Sequence, residues 1–262
     1  MKILAVGDIV GKPGIDMIKT RLEKLIVRLG IDMCIANGEN AATGNGITYS
    51  IAQDLFDAGV DVITMGNHVF NKKDILKLFQ QDANIIRPAN YPPGTAGKGY
   101  IIMTLRNYKI AVVNLAGRVY LNNLDCPFRS VDQCLKQIEK ETNIIIVDFH
   151  AEATSEKVAM GWYLNGRASA VFGTHTHIQT ADERILPQGT GYITDIGMTG
   201  PYESILGVEK DIIINRFVTH LPEKFKIAEG PAQLNGIVFE IDEKTGKTTN
   251  VLRIMLKAES KK

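Results

Sequence analysis

The stretch "GTHTHIQT" (173–180) places two histidines two apart, His175 and His177, straight after the apolar run "ASAVF". The chain holds only five histidines, so this is a local concentration of nitrogen able to bind metal or move protons. The arrangement recurs. "KILAVGD" ends in Asp8, "DMCIANGEN" in Glu39 and Asn40, "VDVITMGNH" in Asn67 and His68, and "NIIIVDFH" in His150. Five apolar runs each deliver a carboxylate, amide or imidazole just past their C-terminal end. His220, in "VTHLPEKF", has no companion in the set and reads as a surface or core residue.

Two carboxylates, one or two amide oxygens and three or four imidazoles exceed what one tetrahedral structural zinc takes, and cysteine is absent from the set. The inventory suits a pair of metal ions. Mixed oxygen and nitrogen donors favour Fe, Mn or Co, with Zn possible. Glu39 or Asp8 is able to bridge ions ~3.5–4 Å apart, as in two-metal phosphoryl-transfer sites. Each residue alone has a plainer reading. Asp8 can cap a helix starting near residue 14, Asn67 can be a left-handed turn residue, and a lone histidine after a strand is more often a satisfied polar group. All of these must hold together to remove the site. Gly7, Gly38, Gly66 and Gly173 precede the polar residues, where glycine permits a tight turn and close approach to a bound group. "VGDIVGKPG" lacks the GxxxxGK[ST] spacing of a phosphate loop. Arg118, Arg129 and Arg167 lie beside loops, and a solvated surface role is the plainer one for each.

The elements that must hold these residues alternate in type. Strands are predicted over 2–6, 32–36, 60–65, 100–105, 109–115, 143–149 and 168–172. Helices are predicted over 14–30 with Gly30 as the stop, 48–59 capped by Thr48 or Ser50, 72–81, 130–142 capped by Ser130, and 154–166, whose Met160 and Trp162 read as core. The Pro- and Gly-rich 87–99 is a long loop. "GIVFEID" (236–242) and "NVLRIML" (250–256) flank a turn and read as a β-hairpin, and the closing "KAESKK" reads as a frayed polar tail. The pattern is that of an α/β fold with a mixed sheet or two sheets, in a single domain over 1–262. Ligands of open α/β sheets bind at the carboxyl ends of strands, where the polar set falls.

Composition sets outer limits. The 262 residues are 45% hydrophobic and 23% charged, with net charge +1. Such a balance provides no global field for nucleic acid or an anionic membrane. No apolar run reaches the ~18 residues of a membrane span. "MKILAVGD" is charged too soon for a signal peptide. Cys34, Cys126 and Cys134 are odd in number and scattered, which reads as reduced thiols in a cytoplasmic protein.

The ordered blocks "GD", "NGEN", "MGNH", "DFH" and "GTHTH" resemble those of the calcineurin-like metallophosphoesterases. The first block departs from the common pattern: Asp8-Ile9-Val10 has no histidine, and Glu39-Asn40 follows where an aspartate usually bridges. That variant resembles the bacterial YmdB-type 2′,3′-cyclic-nucleotide phosphodiesterases, as do "GDIVGKPG", "NGENAATGNG", "MGNHVFNKKDI", "RPANYPPGTAGKG" and "YITDIGMTGP", over essentially the whole chain. The resemblance implies a four-layer α-β-β-α sandwich of two mixed sheets flanked by helices. It implies one metal ion held by Asp8, Glu39, Asn40 and His177 and another by Glu39, Asn67, His150 and His175, with His68 as general acid. Asn40 stands in for the missing histidine.

The expected reaction is hydrolysis of a 2′,3′-cyclic nucleotide of the cyclic AMP class by a metal-bridging hydroxide. His175 and His177, two apart on one strand face, would feed neighbouring ions. The substrate is the expected partner, and self-association is open. Alternatives are a phosphomonoesterase, nucleotidase or protein phosphatase on the same scaffold, a low-turnover regulatory nucleotide-binding protein, or a purely structural metal site.

Overall fold

The computed structural model describes residues 1–258. In chain order the elements are β1 (Lys2–Val6), β2 (Asp8–Ile9), α1 (Gly11–Leu29), β3 (Met33–Asn37), α2 (Tyr49–Asp57), β4 (Val62–Thr64), α3 (Asp74–Gln80), β5 (Ile85–Ile86), β6 (Tyr100–Leu105) and β7 (Tyr108–Ala116). Then follow α4 (Pro127–Ile138), β8 (Ile145–His150), α5 (Thr154–Tyr163), β9 (Ala170–Thr174), β10 (Arg184–Ile185), β11 (Gly191–Ile193), β12 (Met198–Pro201), α6 (Lys210–Thr219), β13 (Ala232–Ile241) and β14 (Thr248–Lys257).

Side-chain parity along the strands builds four layers. On β1, Leu4 and Val6 pack with α1 and α2, while Ile3 and Ala5 face the other way. On β8, Ile145 and Val147 pack with α4 and α5, while Ile144 and Ile146 join Ile3 and Ala5. The middle layer is therefore sheet on sheet, with Phe172 of β9 stacked against Phe239 of β13 at 6.4 Å. Each such ring stabilises by about 1.5–3 kcal/mol when buried. Strands covered on both faces read as unbroken apolar runs, which is why these were legible in the sequence.

The first sheet runs β2-β12-β13-β1-β3-β4-β5, with β14 on β13. The second runs β10-β11-β9-β8-β7-β6. Within them β1, β3, β4 and β5 are parallel, as are β7, β8, β9 and β11. β13 and β14 form the predicted hairpin. Both sheets are thus mixed, and their polar strand ends meet.

Several boundaries differ from expectation for local reasons. α1 begins at Gly11, because Pro13 is tolerated in a first turn; its N-cap is Val10, so Asp8 caps nothing. Gly30, at φ 64°, ends it as predicted. Thr48 caps α2 through the Ile51 amide at 3.4 Å. α4 starts at Pro127 behind Cys126 and has no Ser130 cap. Met160 is buried, but Trp162 is half exposed, with Arg184 over its ring, and is no core residue. Lys257 belongs to β14 and the Ala258 amide donates to the Ala232 carbonyl at 2.7 Å, so neither is frayed; the rest of the predicted tail lies outside the described residues. Among the described residues no helix is long and apolar enough to cross a membrane.

Candidate active site

The parity that fills the inter-sheet layer changes from apolar to polar at the strand ends. Following Met33 and Ile35 comes Asn37; following Val62 comes Thr64; following Ile144 and Ile146 come Asp148 and His150; following Ala170 and Phe172 comes Thr174. These buried groups bond one another. Thr64 Oγ1 donates to Asp148 Oδ2 at 2.5 Å, Asn37 Nδ2 to the same oxygen at 3.3 Å, and Thr174 Oγ1 to Asp148 Oδ1 at 2.7 Å. Burial pushes the Asp148 carboxyl up to about 6, against the opposing pull of His150 and the two threonines. This polar floor carries the site.

Above it the sequence-predicted residues fall into two clusters. In the first, His150 Nε2 lies 3.0 Å from Glu39 Oε1, 3.1 Å from Asn67 Oδ1 and 3.0 Å from His175 Nδ1. Glu39, His150 and His175 have the mutual spacing of a metal-binding group. In the second, His177 Nε2 lies 3.3 Å from Asn40 Oδ1 and 3.9 Å from Asp8 Oδ1. Asn40 Nδ2 donates to the Gly44 carbonyl at 2.9 Å, which turns its oxygen inward. Asp8 Oδ2 accepts from the His175 amide at 3.2 Å, but Asp8 Oδ1 is buried with no hydrogen-bond partner. An orphaned buried carboxylate oxygen costs free energy unless a cation or proton meets it. Burial accordingly pushes the Asp8 carboxyl up, although His177 and His150 pull the other way. The donor sets fit metal ions.

The imidazoles are oriented from behind. Because Thr174 gives its proton to Asp148, its oxygen accepts from His150 Nδ1–H at 2.9 Å, leaving Nε2 facing Glu39. His175 Nε2–H points to Glu152 Oε2 at 3.1 Å, leaving Nδ1 facing the cluster. His177 Nδ1–H donates to the Leu206 carbonyl at 3.0 Å, leaving Nε2 facing Asn40. Outer-nitrogen partners of this kind fix the tautomer of a metal-ligating histidine. His68 is wired in the opposite sense. Asn71 Nδ2 donates to its Nδ1 at 2.8 Å, so the proton of the neutral ring sits on Nε2. His175 and His177 turn a lone pair inward, His150 turns inward the nitrogen it pairs with Glu39, and His68 presents a proton.

Charge follows the same division. Burial alone would raise the Glu39 carboxyl, but His150 and His68 hold it down at about 2. Burial alone would lower His150, but Glu39 foremost raises it to about 9. Burial, aided by the His150 charge, lowers His175 to about 3 and keeps it neutral.

Two local expectations are corrected. His175 and His177 do not share a strand face. β9 ends at Thr174, and both residues lie beyond it at φ 94° and 65°. Left-handed backbone at a non-glycine residue costs on the order of 1–3 kcal/mol and persists only when over-determined. The restraint is on the intervening residue: Asp195 Oδ2 accepts from the Thr176 amide at 3.2 Å and its hydroxyl at 2.6 Å, and Lys157 Nζ meets that oxygen at 2.6 Å. Asn67 is not left-handed.

The four glycines do not turn the chain either, since none has positive φ. They make room. A Cβ at Gly66 would lie 2.2 Å from Glu39 Oε2 and 2.3 Å from the His150 ring, and one at Gly173 would meet the Thr194 carbonyl at 1.8 Å.

Sequence reading missed Glu152, Asn71, Lys157, Asp195, Thr176, Asp148 and Thr174. Asp148 was detectable as a polar residue at an inward position of an apolar strand. Asp195 follows the same rule after β11, whose segment reads as Gly-rich loop. Lys157 gives no signal, because a charged residue on a helix is ordinarily solvated.

Eight predicted residues, Asp8, Glu39, Asn40, Asn67, His68, His150, His175 and His177, therefore converge on one place. A family model described as "YmdB-like protein" matches residues 4–254. The chain is 51% identical to the 2′,3′-cyclic-nucleotide 2′-phosphodiesterase of Bacillus subtilis (strain 168), over 98% of this chain and 97% of that one. A Thermus thermophilus protein of solved structure superposes with a TM-score of 0.93 at 39% identity, covering 99% of this chain and all of that one. A Mycoplasma pneumoniae structure described as a novel phosphatase gives a TM-score of 0.93 at 34% identity, covering 100% of this chain and 95% of that one.

Proposed function

We propose a reaction for a chain that belongs to the YmdB-like protein family: hydrolysis of 2′,3′-cyclic nucleotides, the substrate class in the name of its Bacillus subtilis relative. The observation that carries the reading is the opposed wiring of the histidines. Three are bonded from behind so that one nitrogen of each faces the two donor clusters, and one holds a proton beside them. His68, His175 and His177 border one cavity of about 460 Å³, within the size range of small-molecule sites, and His150 is buried against His175.

Asp8, Asn40 and His177 would hold one metal ion, and Asn67, His150 and His175 the other, with Glu39 shared; iron or manganese suits these donors. Such a pair supplies activated water at neutral pH and neutralises charge on phosphate. The chain's own residues do the rest. The rigid floor fixes the donors, and the strand ends place them. His68 delivers the Nε2 proton to the leaving ribose O2′ as water adds to phosphorus and the P–O2′ bond breaks, leaving the 3′-monophosphate. Acid assistance of this type is worth about 10²–10⁴-fold.

The test compares leaving groups. His68→Ala should lose about 10²–10⁴-fold on 2′,3′-cyclic AMP and little on bis(p-nitrophenyl) phosphate, whose leaving group needs no proton, with metal content unchanged. Equal losses on both substrates would remove His68 as the acid. The phosphatase description of the Mycoplasma structure favours a second reading, monoester hydrolysis. Faster turnover of p-nitrophenyl phosphate than of the diester would support it.

A further inference from the structure

The cavity over the donor clusters has two unlike sides. Its floor is polar, with Glu39, His68, His175 and His177; its opposite wall is apolar, with Leu206, Ile213, Phe217, Phe225 and Ile227. The wall comes from α6 and its flanking loops, and nothing in the proposed chemistry uses it. Phe217 is 75% exposed and Phe225 51%. These are large aromatic surfaces beside a site built for an anion, with the Arg216 guanidinium over one face of Phe225 at 5.0 Å from its centroid.

The wall is not a loose flap. Glu209 N donates to the Lys226 carbonyl at 3.0 Å and Ala228 N to the Gly207 carbonyl at 2.9 Å, while Lys226 and Glu209 pair at 2.7 Å. Ile227 seats against Gly11 and Gly44, neither of which leaves space for a side chain there. The bond from His177 to the Leu206 carbonyl ties the wall to the donor clusters. Wall and floor are therefore held at a fixed separation. A ligand spanning both needs an anionic end and a flat apolar end, which is the chemistry of a nucleotide.

We propose that Phe217 and Phe225 form a stacking platform for the substrate's nucleobase. The five wall side chains offer no hydrogen-bond donor or acceptor, so the platform reads the face of a base and not its edge. Purine and pyrimidine cyclic nucleotides are both accepted, the larger ring better. The platform rests on the phosphodiesterase reading for its substrate and is separable from it by test.

The kinetics of Phe217→Ala, Phe225→Ala and the double variant are compared on 2′,3′-cyclic AMP, 2′,3′-cyclic CMP and glycerol 1,2-cyclic phosphate, a cyclic diester without a base. Stacking on an aromatic side chain is worth about tenfold or more in affinity. The expected result is a KM for the nucleotides raised about tenfold or more, most for the adenine compound, with kcat held and glycerol cyclic phosphate kinetics unmoved. Phe217→Tyr should restore the nucleotide KM. Equal changes on all three substrates, or none on any, would overturn the platform. So would a change in sedimentation with nucleotide kinetics intact, which would make the wall a contact between copies of the chain. If wild-type protein hydrolyses none of the three, the phosphodiesterase reading fails. Calorimetric binding of 3′-AMP against ribose 3-phosphate then decides the platform, with loss of the adenine preference in the double variant supporting it and no preference in wild type overturning it.

Discussion

The two donor clusters differ in how they are satisfied without metal. Glu39, Asn67, His150 and His175 stand within 3.0–3.1 Å contacts, and the Glu39–His150 pair neutralises itself. Asp8, Asn40 and His177 stand 3.3–3.9 Å apart, with Asp8 Oδ1 unpartnered. The closer cluster carries a proton where a metal would sit; the wider one carries an uncompensated oxygen. Metal would displace the proton of the Glu39–His150 pair in the first case and would meet a buried carboxyl that burial pushes up in the second. A metal ion would therefore compete with a buried ion pair in the closer cluster and with a lone buried carboxyl in the wider one.

The strongest way to break this contrast is to remove one histidine from each cluster. His150→Ala should lose metal from the closer cluster and lower diester hydrolysis by more than the roughly 100-fold that loss of a supporting partner costs. His177→Ala should spare that ion and lose the other. Metal stoichiometry by mass spectrometry, alongside turnover, checks both; loss of both ions in each variant would mean the clusters are one unit.

A large structural effect is expected at the clamp behind both histidines. Lys157 is 2% exposed and Asp195 fully buried, so Lys157→Met strands a buried carboxylate. The expected destabilisation is about 3 kcal/mol, read by chemical denaturation. Metal affinity should weaken in both clusters, because Thr176 lies between their histidines.

Glu152→Gln sharpens the comparison further. It removes the carboxylate behind His175 and should weaken metal affinity of the closer cluster by about 10–100-fold, leaving the Asp8 cluster unchanged in a two-site titration.

The smallest effect is graded with pH. In metal-free protein His150 lies at about 9, above its ordinary 6.5. Its stabilising contribution is full below 6.5 and lost as pH rises through 9. Glu39 lies at about 2, below its ordinary 4.5. Its contribution is full above 4.5 and lost as pH falls through 2. The pair therefore stabilises metal-free protein most between about 4.5 and 6.5. Metal at the closer cluster needs His150 Nε2 free, so its affinity should rise about tenfold per pH unit up to about 9 and then level off. Calorimetry in buffers of different ionisation heat should find a proton released there.

Much of this was legible in the chain and some was not. The strands were plain because both faces are buried and the runs are unbroken in apolar residues. The short β2, β5, β10, β11 and β12 and the helix α6 were not. Two to four strand residues carry no period, and the apolar residues of α6 line a cavity and solvent instead of a core. The site residues were legible because each follows a strand, and a strand end can be read locally.

Residue type and order by themselves determined the donor inventory, the mixed α/β framework and the end of the sheets at which the polar set falls, because strand periodicity and the composition of strand ends are local properties. Only the tertiary structure decided how the donors divide into two clusters and which nitrogen each imidazole turns inward. It also decided that His175 and His177 diverge through left-handed backbone instead of sharing a strand face. Those outcomes depend on partners distant in sequence: Thr174 and Asp148 behind His150, Leu206 behind His177, and the Lys157–Asp195 pair that holds Thr176 in place.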